Sequence, residues 1–367
     1  MNTLQRLHAE QDQSPWIDFI DRQLIESGRL DELIGMGIRG MTSNPTIFSK
    51  AVASGGYDEL IRQKIDAGEG SMAIYEAIAV GDVGDAADHL RSVYDASDGA
   101  DGFVSIEVEP GLANDTQATL DRARYLFAQL HRPNIFVKIP ATQAGLPAIE
   151  AAIADGININ ITLMFSVDVY RQVAMAYING LRARHARGEP IDRIASVASF
   201  FVSRVDTKVD KMLEAVGTDS ARNARGTAAI ANARLAYQAF GEIFAGSEFA
   251  QLGDAGARVQ RCLWASTSTK NPAYRDVLYV EELIGPQTVD TMPIETIEAF
   301  LDHGEVERTL DRDQHAAYDA IRAVEAQGIS MQQVTAELLD EGVVAFGKSF
   351  DELIATIDSK RKALATA

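Results

Sequence analysis

The sequence predicts an α/β chain folded as a (β/α)8 TIM-type barrel with extra helices. Three observations point there: short apolar β-like runs alternate strictly with longer stretches of helical spacing, the runs number eight, and no Pro/Gly/Ser-rich linker divides the 367 residues. Strict alternation implies parallel strands with right-handed crossovers, and eight of them favour a closed barrel over its rival, an open doubly wound sheet. The expected strands are, in order, residues 16–19, 38–42, 102–108, 135–139, 157–163, 194–202, 261–265 and 276–280. Between them, Leu120, Ala123, Phe127 and Leu130 share a helix face behind the cap candidates Asn114 and Asp115. Val169, Val173, Tyr177 and Leu181 do the same behind Ser166. Helical insertions are expected after Asn44 and Arg204, following the second and sixth strands, and a helical tail from about Glu295 to Leu364. Residues 1–367 thus read as a single barrel domain with helical additions, without an internal repeat.

Composition narrows the function. With 46% hydrophobic and 24% charged residues, the chain has the make-up of an ordinary globular protein rather than a disordered one. Lys+Arg 34 against Asp+Glu 53 gives 34 − 53 = −19, which disfavours nucleic acid and anionic membranes as partners. An anionic substrate would need a local basic pocket. The basic stretches at 182–187 and 359–362 are short and read as solvated helix faces. The lone Cys262 cannot form an intramolecular disulfide and is expected in the core. Residues 1–16 contain no apolar run of signal-peptide length, and no window reaches the roughly 18 apolar residues of a spanning helix, so a cytoplasmic setting is expected. The six histidines form no HExxH or close pair, so no metal site is expected. Gly35, Gly37 and Gly40 lack the spacing of a dinucleotide fingerprint and read as turn glycines.

Within a barrel strand, alternate side chains point inward, and those near the carboxyl end face the active site. Polar residues in that phase are therefore informative. In residues 157–163, Asn158, Asn160 and Thr162 alternate with four aliphatic residues. Phe103, Ser105 and Glu107 share the inward phase of residues 102–108, with Glu107 at the top. The first strand has Trp16 and Asp18 in phase, and the second ends at Asn44, before Pro45 stops the ladder. Most informative is Lys138, set in Ile-Phe-Val-Lys-Ile-Pro and in phase with Phe136. Lysine is rarely buried, and burial disfavours the ammonium, so a neutral amine able to attack a carbonyl and form a Schiff base is expected there. The structural alternative is a lysine reaching the barrel rim or paired with Glu107. Arg204 follows one apolar strand, while Ser266, Ser268 and Lys270 follow another. Late strand ends are common phosphate sites in barrels.

These segments together resemble the longer bacterial transaldolases. The motifs are GIRGMTSNPTIF, GFVSIEVEPGLANDT, NIFVKIPATQAGLPAIE, GININITLMFS and LWASTSTKNPAY, and the likeness runs from about Trp16 into the tail. The resemblance implies a (β/α)8 barrel that uses no metal or organic cofactor. Such an enzyme moves a dihydroxyacetone unit from sedoheptulose 7-phosphate to glyceraldehyde 3-phosphate, giving erythrose 4-phosphate and fructose 6-phosphate; the alternatives are a fructose-6-phosphate aldolase-like enzyme and a non-catalytic sugar-phosphate-binding barrel. It implies Lys138 as the Schiff-base residue and Asp18 as the acid/base at the C4 hydroxyl. Glu107 would act through a water that Thr162 orients. Asn44 and Asn160 would hold the dihydroxyacetone hydroxyls, Ser199 and Phe201 would form the nearby wall, and Arg204 and Ser266 would bind phosphate. Many shorter transaldolases carry a second phosphate arginine where this chain has Ser268, and Lys270 is expected to supply the charge instead. The partners are then small-molecule sugar phosphates. Residues 350–363 present an apolar helix face that packs on the chain's own barrel or on a second subunit, so both monomer and homodimer stay open.

Overall fold

In the computed structural model, which describes residues 1–365, eight parallel strands close in chain order. They are β1 (Gln13–Asp18), β2 (Gly40–Thr42), β3 (Phe103–Glu107), β4 (Ile135–Pro140), β5 (Ile159–Met164), β6 (Ser196–Phe201), β7 (Arg261–Ala265) and β8 (Thr288–Met292), with β8 pairing back onto β1. Closure leaves no sheet edge, which excludes the doubly wound alternative. The two inferred caps form: Asp115 accepts from Ala118 N at the head of helix Thr116–Leu130, and Ser166 from Val169 N at the head of Val167–Ala186.

Seven expected strands overlap observed ones, but the eighth does not. Residues 276–280 lead into a short helix, Leu278–Glu282, with Val277 and Val280 buried one turn apart. The true β8 alternates Thr-Val-Asp-Thr-Met, with Val289 inside the barrel, Thr291 at the cavity wall, and Thr288 and Asp290 in the opposite phase. Its outward face lacks the aliphatic residues that mark a barrel strand, which is why its pattern is weak. A second correction concerns Leu163. The expected alternation keeps it in the outward phase, but the β5–β6 register shifts between Ile161 and Met164, Leu163 takes a left-handed φ of 58°, and its side chain borders the cavity beside Thr162.

The barrel interior is layered. At the amino ends of the strands, buried Asp101 accepts from Trp16 Nε1 at 2.9 Å, Arg39 Nε at 2.8 Å and Ser14 Oγ, with Arg261 3.4 Å away. Burial pushes the Asp101 carboxyl up, but Arg261 and Arg39 outweigh it and hold it below the ordinary range. Above it, Trp16, Phe103 and Phe136 fill the lumen, the two phenylalanines stacked with centroids 4.2 Å apart. Gly40 makes this layer possible, because a Cβ there would lie inside the Trp16 indole. The third layer is polar and opens at the carboxyl ends of the strands.

Helices Pro45–Ala53, Asp58–Asp66, Ser71–His89 and Arg91–Ala96 lie between β2 and β3, and Ser203–Val216, Asp219–Asn223, Ala228–Phe244 and Ser247–Asp254 between β6 and β7. The tail comprises Ile294–His303, Gln314–Glu325 and the 35-residue helix Met331–Ala365. This last helix runs past the barrel mouth. Lys208 Nζ lies 2.7 Å from both Glu337 and Glu341, and Lys360 Nζ lies 2.8 Å from Asp58. Phe350 packs edge-on against Tyr75, so the apolar face of residues 350–363 is covered by the chain's own insertion helices.

Candidate active site

Strand register builds the site. Glu107 pairs across the sheet with Lys138, Lys138 with Asn160, and Asp18 with Thr42, all in the inward phase at the carboxyl ends of the strands. A cavity of about 1090 Å³ opens there, bordered by Asp18, Asn44, Glu107, Lys138, Thr162, Ser199, Phe201, Arg204, Ser266 and Lys270. Every expected site residue except Asn160 therefore faces one space. Asn160 is fully buried in the wall, donating from Nδ2 to Ser105 Oγ at 3.1 Å and accepting from Ser199 Oγ at 2.7 Å.

Lys138 is 8% exposed and carries the pairing that the sequence left as an alternative: Nζ bonds Glu107 Oε1 and donates to Ser43 O at 3.0 Å. Burial is the largest influence on Glu107 and, reinforced by the Asp18 charge, pushes its carboxyl up to about 7 against the opposing pull of Lys138. Proton transfer across this hydrogen bond converts an ion pair into a neutral acid beside a free amine. Asp18 Oδ1 accepts from Thr42 Oγ1 at 2.7 Å. Thr42 has one hydroxyl proton, so it accepts from Thr291 Oγ1, 2.8 Å away, and the two hydroxyls orient the carboxylate. Asn44 caps helix Pro45–Ala53, its Oδ1 taking Ile47 N at 3.2 Å, a contact that uses neither of its N–H donors.

The cationic side of the cavity is built on helix Ser203–Val216. Arg204 lies over the Phe201 ring at 5.0 Å, and burial lowers its pKa. Lys208 and Lys211, at i+4 and i+7, border the cavity from the same helix face. Beside the start of this helix, Ser266 has a left-handed φ of 58° and its Oγ lies 2.9 Å from Ser203 Oγ, while Lys270 Nζ reaches Ser268 Oγ at 2.5 Å. Thr42 was within reach of the phase argument that found Lys138, and Lys208 and Lys211 within reach of helical spacing from Arg204. Thr291 was lost with the misplaced strand, and Phe346 of the C-terminal helix, which also borders the cavity, carries no local signal.

A second, much smaller pocket of about 10 Å³ adjoins the first and is bordered by Glu107, Lys138 and Thr162 together with apolar side chains. That is room for about one water, with polar groups to hold it. Among the described residues there is no cluster of His, Cys, Asp and Glu that could hold a metal ion.

Comparison with known proteins agrees with this geometry. The transaldolase/fructose-6-phosphate aldolase family pattern matches residues 15–357. Transaldolase 1 of Streptomyces coelicolor is 49% identical over 360 residues, covering 96% of this chain and 93% of the relative. The transaldolase of Thermobifida fusca is 49% identical over 345 residues, covering 92% and 93%, and that of Mycolicibacterium smegmatis 47% identical over 344 residues, covering 93% of each. The chain belongs to the transaldolase/fructose-6-phosphate aldolase family.

Proposed function

We propose that this protein is a transaldolase that carries a dihydroxyacetone unit from sedoheptulose 7-phosphate to glyceraldehyde 3-phosphate on Lys138. The observation that carries the proposal is the buried Lys138–Glu107 pair facing Asp18 across one cavity with a cationic far side. The family is shared with fructose-6-phosphate aldolases, and the relatives described above are all named transaldolase, which favours transfer over simple cleavage.

With its proton passed to Glu107, the Lys138 amine attacks the ketose C2 carbonyl. Glu107, through a water oriented by Thr162, returns protons to the departing hydroxyl as the carbinolamine becomes an iminium. The one-water pocket bordered by these three residues supports that role. Asp18 then takes the C4 hydroxyl proton while the C3–C4 bond breaks, the aldehyde leaves, and its electrons remain as an enamine on Lys138. An incoming aldehyde reverses the sequence. Asn44 is assigned to a dihydroxyacetone hydroxyl by direct contact. Asn160, which is buried away from the cavity with Oδ1 and one N–H engaged by Ser199 and Ser105, would act mainly by fixing that wall. Arg204, Ser266 and Lys270 are assigned to the phosphate, Lys270 replacing the charge of the missing arginine.

The reaction uses no metal or organic cofactor in this proposal. It would proceed in the cytoplasm, on a single-domain chain that is monomeric or homodimeric. No helix among the described residues is long and apolar enough to cross a membrane. Borohydride reduction with fructose 6-phosphate is the test: a three-carbon adduct on Lys138, absent in a folded Lys138→Ala variant, supports the proposal. An adduct on another residue, or none, overturns it.

A further inference from the structure

The Schiff-base reading leaves an enamine on Lys138 between the loss of one aldehyde and the arrival of the next, and transfer fails if water protonates it first. We propose that Phe346 determines how that enamine divides between an aldehyde acceptor and water, by separating the one-water pocket from the open part of the cavity; the proposal rests on the Schiff-base reading.

Among the described residues, only two apolar side chains border both spaces, Leu163 and Phe346. Glu107, Lys138 and Thr162 border both as well, so Leu163 and Phe346 form the apolar part of a wall running past the reacting amine. Each is brought there by an unusual local feature. Leu163 sits in the left-handed region, immediately after Thr162, where the strand register slips. Phe346 comes from the C-terminal helix, which approaches the strand end through Gly342: a Cβ there would stand 3.1 Å from Leu163 Cδ2 and force one of them to give. Four residues later on the same face, Phe346 is set over the site. Lys208 on Glu337 and Glu341 holds the helix on one side of this point, and Lys360 on Asp58 holds it on the other.

On the side of the small pocket, Glu107 therefore has room for about one water for making and dehydrating the carbinolamine, with Leu163 and Phe346 between that water and the open cavity. Opening that boundary would join the water to solvent. Protonation of the enamine carbon forms a C–H bond and regenerates the iminium. Water then adds to the iminium carbon, the C–N bond breaks, and dihydroxyacetone leaves. The net change consumes one water and restores the Lys138 amine, with no oxidant or reductant.

The experiment supplies fructose 6-phosphate to wild type, Phe346→Ala and Phe346→Leu, with and without erythrose 4-phosphate, and measures dihydroxyacetone release against transfer. Borohydride trapping at Lys138 is run on the same samples. Phe346→Ala is expected to raise the release-to-transfer ratio about tenfold or more by admitting water, with the Lys138 adduct still formed. Phe346→Leu, which keeps an apolar wall, stays near wild type, as does Val344→Ala, a control at a residue 72% exposed on the same helix. An unchanged ratio in Phe346→Ala with the adduct present overturns the role of Phe346 alone, and so does Phe346→Leu matching alanine. A wild-type enzyme that forms no Lys138 adduct overturns the Schiff-base reading and this inference together.

Discussion

Replacing Asp290 with asparagine should flatten the pH dependence of stability while leaving the catalytic groups in place. Asp290 is fully buried on the outward phase of β8. Its Oδ1 accepts from Thr267 Oγ1 at 2.8 Å, and Oδ2 has no hydrogen-bond partner. Burial pushes the carboxyl from 3.8 up to about 7, against the one hydrogen bond that lowers it. Between those two values the folded protein keeps a proton that the unfolded chain has released, so stability falls as pH rises through the window. The shift, 7 − 3.8, is about three units, which at ~1.4 kcal/mol per unit is about 4 kcal/mol lost by pH 8. Asparagine keeps the Oδ1 acceptor for Thr267 and has no charge to bury.

For 367 residues, 1 kcal/mol corresponds to a little over ~1 °C in Tm, so Asp290→Asn should gain about 5 °C on wild type between pH 4 and pH 8. Thermal unfolding followed by circular dichroism at pH 4, 5, 6, 7 and 8 reads this directly. Parallel Tm curves for the two proteins would refute the reasoning. So would a variant that loses stability relative to wild type as pH rises.

Three other outcomes are expected. Glu107→Gln should lower kcat by about 10²–10⁴-fold and remove the limb near pH 7 from the rate profile, since burial places that carboxyl at about 7; a profile that keeps the limb would assign it to another group. Lys270→Ala should raise KM for phosphorylated substrates more than it lowers kcat, and unchanged Michaelis constants would remove Lys270 from the phosphate site. Gly40→Ala should cost about 1–3 kcal/mol by forcing a methyl into the space of the Trp16 indole, seen as a lower urea midpoint, and an unshifted midpoint would contradict the packing.

The site was legible in the sequence wherever one rule, alternation along a strand, governed both burial and chemistry. Lys138, Glu107, Asp18 and Thr162 share the inward phase of their strands, so position alone set them apart from surface charges. The rule failed where the backbone departs from regular pleating. Leu163 keeps its place in the written alternation but turns into the cavity through a left-handed φ that no composition reveals. It failed again at β8, where a buried aspartate occupies a position that usually holds an aliphatic residue. Phe346 lay beyond the rule altogether. It reaches the site because a helix from the far end of the chain is carried past the mouth by ion pairs to Lys208 and Asp58, contacts between residues more than a hundred positions apart.

The net charge of −19 and the proposed sugar phosphates conflict only if charge is averaged over the molecule. At physiological ionic strength the screening length is about 8 Å, so a phosphate in the cavity responds mainly to its immediate walls. There the chain concentrates cations: Arg204, Lys208 and Lys211 share one helix face, and Lys270 approaches from the loop after β7. Two of these are conditioned by their surroundings. Arg204 is partly desolvated against Phe201, which strengthens its pull on an anion that enters. Lys208 is already bound by Glu337 and Glu341, so it offers a phosphate much less than its formal charge. Affinity for the phosphate should therefore fall chiefly on Arg204 and Lys270, while Lys208 serves to hold the helix that carries Phe346. The same helix face thus serves both binding and enclosure, which explains how a strongly acidic protein can admit an anion and still keep its roof in place.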